Sequence, residues 1–124
     1  MKKLLLILVL AVIYSRIARG DDLEDGYKAY ERKDYVTALK LWQPLAEEGI
    51  ANAQSNLGVM YEQGKGVIQS YVSAHMWYNL GAINGSDNGS NNRDIVAKEM
   101  SSAQIEEAQR KAKDCLKKSY RDCD

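Results

Sequence analysis

Residues 58–66, GVMYEQGKG, come closest of any stretch in this chain to a phosphate-binding loop. Such a loop needs Gly, four residues, then Gly-Lys-Ser/Thr, set between a strand and a helix, so that amides and the lysine surround the phosphates. Here five residues separate Gly58 from Gly64, and Gly66 stands where the magnesium-binding hydroxyl belongs. The preceding residues 51–63 read as a helix, so no strand launches the loop. Nucleotide binding is set aside, and no cofactor is expected.

The other chemistry-bearing side chains are sparse. His75 is the single histidine, with Ala74 and Met76 beside it. A metal site or catalytic dyad needs partners at fixed geometry, so a partly exposed histidine on a helix surface is expected. The acidic pairs Asp21-Asp22 and Glu47-Glu48 are adjacent rather than facing, which gives solvated surface and no paired-carboxylate catalysis. Neither a catalytic set nor a metal-ligand set is expected.

The first twenty residues set the compartment. Met1-Lys2-Lys3 is basic, Leu4 to Tyr14 is an unbroken apolar run, and Ala18-Arg19-Gly20 offers small residues at the positions a signal peptidase reads. Residues 1–20 are expected to be a signal peptide cleaved before Asp21. Eleven apolar residues fall short of the roughly 20 of a membrane span, so no span is expected after cleavage; the alternative is an uncleaved anchor. The whole chain holds 17 basic and 17 acidic residues; losing Lys2, Lys3, Arg16 and Arg19 leaves 13 against 17, a net charge of −4. Phosphate neutralisation needs the opposite sign, so nucleic acid is not an expected partner.

An exported domain with two cysteines favours a disulfide, here Cys115 with Cys123. On one straight helix their Cα atoms would be roughly 12 Å apart, beyond the roughly 6.8 Å that a disulfide tolerates. Pairing therefore requires the last helix to stop near Lys118 and SYRDC to hook back. The alternative is a buried Cys115 with a free or intermolecular Cys123.

The elements that position these residues follow from an internal repeat. DYVTALKLWQPLAEEG (34–49) and SYVSAHMWYNLGAING (70–85) align without gaps at an offset of 36. Ahead of them, Ala29-Tyr30 matches Met60-Tyr61 at an offset of 31, which places five extra residues in the second connection. Tyr35, Ala38, Leu39, Trp42, Leu45 and Ala46 recur at helical steps, as do Tyr71, Ala74, Tyr78 and Ala82. Asp34 and Ser70 stand at N-cap positions, and Gly49, Gly64 and Gly85 at left-handed stops. Pro44 should kink the first of these helices or thin its last turn. The tail reads as a polar loop (86–92), a short helix from about Arg93 to Glu99, and a last helix opened by the capping-box pair Ser101 and Gln104. Its stripe of Ile105, Ala108, Ala112, Cys115 and Leu116 opposes a charged face, as the end of a helical stack requires.

A period of 30–40 residues with two helices per unit predicts an all-α solenoid of antiparallel hairpins, with about six helices in residues 21–124. The stretch ANAQSNLGVMYEQGKGVIQSYVSAHMWYNLGAING resembles the Sel-1-like repeat, a relative of the tetratricopeptide repeat. Ala53-Gln54, Asn56-Leu57-Gly58, Met60-Tyr61, Gly64, Gly66-Val67, Tyr71, Ala74, Trp77-Tyr78 and Gly85 carry the likeness. Residues 21–49 look like a degenerate first repeat, 50–85 a full one, and 86–124 a divergent capping hairpin. The resemblance implies a scaffold that binds proteins and has no chemistry of its own. The expected protein is an exported monomer, periplasmic or secreted, holding a protein or peptide in a groove lined by helices near 23–32 and 51–63. Exposed Asn52, Asn56 and Glu62 are the candidate contacts. An envelope enzyme acting on peptidoglycan or a lactam, and a secreted host-directed effector, are the alternatives. If the cysteines pair, non-reducing mass spectrometry of the exported protein finds no free thiol; two free thiols would contradict the pairing.

Overall fold

The computed structural model describes residues 2–124, and the side chains of 12–19 lie outside that description. Six helices occur among these residues: α1 (Lys2–Glu31), α2 (Tyr35–Glu47), α3 (Ala51–Gln63), α4 (Tyr71–Ile83), α5 (Asp87–Ala97) and α6 (Ser102–Lys117). α1 with α2 and α3 with α4 form two hairpins that stack through α2 and α3. α5 and α6 each pack on α4 rather than chiefly on each other, so the expected capping hairpin over 86–124 does not close on itself.

Local chemistry explains the helix ends. The Asp34 carboxylate accepts from the Thr37 amide at 3.2 Å, and the Ser70 hydroxyl accepts from the Ser73 amide at 3.1 Å. Ser101 and Gln104 form a reciprocal capping box. Gly64, at φ +67°, ends α3 in the left-handed conformation, which its lack of a Cβ makes accessible. Pro44 sits inside α2, which runs on to Glu47; the Glu48 amide then reaches back to the carbonyls of both Pro44 and Leu45, tightening the final turn.

Three elements differ from the expectation. Residues 86–92, expected as loop, supply the cap and first half of α5. Asn, Ser and Gly are poor helix formers, so the composition reads as loop. The fold overrides it: Ser86 caps the Gly89 amide at 3.0 Å, and Gly89 presses so closely on Ser55 and α4 that a Cβ would lie 2.6 Å from Ser55 Oγ. The second connection is longer by four residues, not five. Three residues join α1 to α2 and seven join α3 to α4. Gly26 lies against Trp42 as Gly58 lies against Tyr78, so the matched glycines are 32 apart. Finally, α1 begins at Lys2 rather than near residue 23. Its side chains Leu4 to Leu10 are 48–68% exposed, and among the described side chains the first to pack onto the core is Leu23. The expected signal segment includes residue 1 and the side chains of Ala18 and Arg19, which lie outside the described residues. Among the described residues no helix is long and apolar enough to cross a membrane.

The main core joins α1, α2, α3, α4 and α6 through Ala29, Trp42, Leu57, Met60, Trp77, Leu80, Ala112 and Cys115, and a smaller cluster joins Ala74, Tyr78 and Val96. At Gly58, an added Cβ would lie 2.4 Å from the Tyr78 ring. Gly58→Ala is therefore expected to lower stability by about 1–3 kcal/mol through overpacking. Thermal unfolding checks this, with a fall of roughly 4–8 °C for each kcal/mol in a domain of this size.

Candidate functional site

One turn of α1 brings Tyr27, Tyr30 and Glu31 opposite Asn56 and Val59 of α3, with Trp42 of α2 below them. Together they line an open groove of about 340 Å³ whose surface is chiefly carbon. The rings are mutually inclined. The Tyr27 and Trp42 centroids are 5.2 Å apart at 70°, and those of Tyr30 and Trp42 are 5.9 Å apart at 31°. The indole N–H of Trp42 donates to the Leu23 carbonyl at 3.1 Å, which holds the ring over Gly26. The Tyr30 hydroxyl donates to Gln63 Oε1, and burial raises its pKa. The Tyr27 hydroxyl donates to Asn56 Oδ1 at 3.3 Å, while Asn56 Nδ2 is buried without a partner. A buried donor left unpaired is costly unless something arrives to accept from it.

The three candidate contacts separate in the structure. Asn56 lies in the groove, although half-buried rather than exposed. Asn52 is exposed on α3 and does not line the groove. Glu62 is half-buried and accepts from the Tyr78 hydroxyl at 2.8 Å, fastening α4 to α3 instead of facing solvent. Burial and that contact hold the Tyr78 pKa well above the ordinary phenol range. The causes are separate: Asn56 turns toward α1, where Tyr27 donates to it, and Glu62 turns toward α4, where Tyr78 does.

His75 also departs from the expectation. It is buried, 4% exposed, and its Nδ1 has no partner. Burial lowers its pKa, Arg93 nearby lowers it further, and Asp94 partly opposes them. Lys65 packs over the Tyr35 ring at 5.2 Å, so the turn lysine serves the hairpin. Among the described residues no group of three or more His, Cys, Asp or Glu side chains could hold a metal ion.

Two polar features escaped the sequence reading. Gln54 is fully buried; its amide donates to the Ala46 carbonyl at 3.0 Å and accepts from Asn84 at 2.8 Å, tying α2, α3 and α4 together. It stands in the motif as Ala53-Gln54, but nothing in its spacing marks it as buried. The second is the contact that Asp124 makes at the end of the C-terminal hook; the hook itself is the one that pairing of the cysteines requires. The sulfurs of Cys115 and Cys123 are bonded, with Cα atoms 5.1 Å apart, and the chain turns back through left-handed Ser119, Tyr120 and Asp122. Asp124 then accepts from the buried Trp77 indole at 2.8 Å and faces the Tyr61 hydroxyl, whose pKa burial and this carboxylate raise.

Comparison with known proteins follows the same lines. The family model of the Sel1 repeat matches residues 23–50 and 51–86. The crystal structure of a protective antigen present in uropathogenic Escherichia coli strains, which displays an SLR fold, is similar at a TM-score of 0.75 and 25% identity. The similarity covers 85% of this chain and 24% of that one, so this chain spans about a quarter of the antigen's length.

The His75 environment gives a pH dependence. Its folded pKa lies below the ordinary 6.5, so as pH falls through about 6.5 the unfolded chain takes up a proton that the folded chain refuses. Stability is expected to decline from pH 7 toward pH 5. Denaturant unfolding across this window checks it: His75→Gln should flatten the slope, and an unchanged slope would contradict the assignment.

Proposed function

The chain belongs to the Sel1 repeat family, and from that premise we propose that it is an exported scaffold holding a protein partner between α1 and α3. Sel1 repeats mediate protein–protein interaction, and the chemistry in such a complex belongs to the partner. The observation that carries the reading is the groove itself. Aromatic walls meet a buried, unpaired amide donor, the combination that anchors a partner side chain and one backbone acceptor.

Export is supported by the basic start and apolar run, and by the place where packing begins. Among the described side chains, none before Leu23 contributes to the core clusters, in keeping with a segment that is removed. Cleavage before Asp21 also starts α1 with Asp21, Asp22 and Glu24, carboxylates that favour a helix N-terminus. The Cys115–Cys123 bond suits an oxidising compartment. It contributes about 2.5 kcal/mol by the loop-entropy relation.

Two measurements test the proposal. Affinity capture from the producing cell's envelope and medium should recover a partner with the native chain. Capture should fail with Val59→Arg in the groove and persist with Ile95→Arg, an exposed site on α5. Equal recovery by both variants, each confirmed folded, would overturn the groove. Intact-mass analysis of the exported protein should place its first residue at Asp21; a chain that retains Met1 would contradict cleavage.

A further inference from the structure

We propose that the α1–α3 groove is a cation-selective anchor, which takes a lysine or arginine side chain from the partner. This deepens the protein-binding reading and rests on it. Two features of the groove point to a basic occupant, and a third points to a peptide main chain.

The first is ring geometry. Tyr27 stands nearly perpendicular to Trp42, and Tyr30 is tilted over it, so three aromatic groups meet around one corner. Tyr27 is 40% exposed and Tyr30 half-buried, whereas Trp42 is 2% exposed, so the two tyrosines supply most of the ring surface a ligand can reach. Inclined rings around an opening attract a cation through their quadrupoles while accepting its aliphatic stem.

The second is charge. Glu31 lines the groove and has no ion-pair partner among the described residues. The α1 wall from residue 21 to 31 carries Asp21, Asp22, Glu24, Asp25 and Glu31 against Lys28 alone, and Lys28 already pairs with Glu24 at 3.7 Å. On the α3 side the groove is lined by Asn56 and Val59, and α3 carries no basic residue to offset this charge. A neutral apolar side chain would fill the corner but leave this field unanswered, and an acidic one would be repelled.

The third is Asn56. Its Oδ1 already accepts from Tyr27, while the buried Nδ2 lacks an acceptor. Any entering peptide residue brings a main-chain carbonyl, which meets this donor once a small shift of the groove wall uncovers it. The occupant is thus a peptide segment that presents a basic side chain, its stem against Val59 and the rings and its charge at Glu31.

The test titrates the full chain with capped pentapeptides, Ala-Ala-X-Ala-Ala, in which X is lysine, arginine, norleucine or glutamate. Binding is followed at the Trp42 indole resonance, which separates it from Trp77. Lysine and arginine peptides should bind about fivefold or more tighter than the norleucine peptide, the scale of an exposed cation–π contact. The glutamate peptide should be weakest. Added salt should narrow the difference. Glu31→Gln should weaken the lysine peptide about threefold and leave norleucine unchanged. Tyr27→Leu, which keeps an apolar wall, should lower the preference for lysine over norleucine.

Norleucine binding as tightly as lysine would overturn the cationic anchor and leave the groove reading standing. If no peptide moves the Trp42 resonance, the anchor falls. Partner capture then decides the rest: loss with Val59→Arg keeps the groove, and retention removes both readings.

Discussion

An aromatic ring seated directly on a glycine is the contact on which the rest of this structure depends. Gly58 meets Tyr78, and Gly26 meets Trp42, at distances that leave no space for a methyl group. Each pair sets how closely the two helices of a hairpin approach, and therefore where every other side chain falls. In the second hairpin, the ring's far end reaches Glu62 and closes the α3–α4 contact. In the first, seating Trp42 on Gly26 makes the indole the floor beneath Tyr27 and Tyr30. One packing device thus builds both the stack and the groove.

Polar groups lock the stacked units at their ends. Gln54 satisfies the carbonyl at the end of α2 and holds Asn84 after α4, and Ser55 meets Ser86 at 2.8 Å at the start of α5. The hook after α6 does the same with Asp124 against Trp77. These bonds satisfy buried donors and acceptors that apolar packing would strand. Asn56 Nδ2 and His75 Nδ1 are the described exceptions. One belongs to a residue that lines the groove, and the other is buried on α4, where protonation is penalised.

Much of this was legible in the residues. The offset of 36 between Trp42 and Tyr78, the caps at Asp34, Ser70 and Ser101, and the left-handed stop at Gly64 follow from local rules, and the structure contains them. The groove between the first helices of the hairpins was also expected. What escaped the reading depended on contacts between distant residues. α5 forms from a loop-like composition because Gly89 fits a gap between Ser55 and α4. His75 and Glu62 turn inward because a neighbouring helix covers a face that spacing alone leaves open. The loop count was off by one because Ala29-Tyr30 and Met60-Tyr61 look alike, while the packing equates Gly26 with Gly58. Tyr27, the most exposed ring of the groove, carries no helical signal that separates it from core tyrosines.

The central claim is that a partner occupies the groove between α1 and α3. Its most direct test is site-specific photo-crosslinking in the intact producing cell, with a photoreactive residue at Tyr27 or, as a control, at exposed Lys113 on α6. The account predicts a discrete crosslinked protein from position 27 and none from position 113. Crosslinking from position 113 with none from position 27 would contradict it.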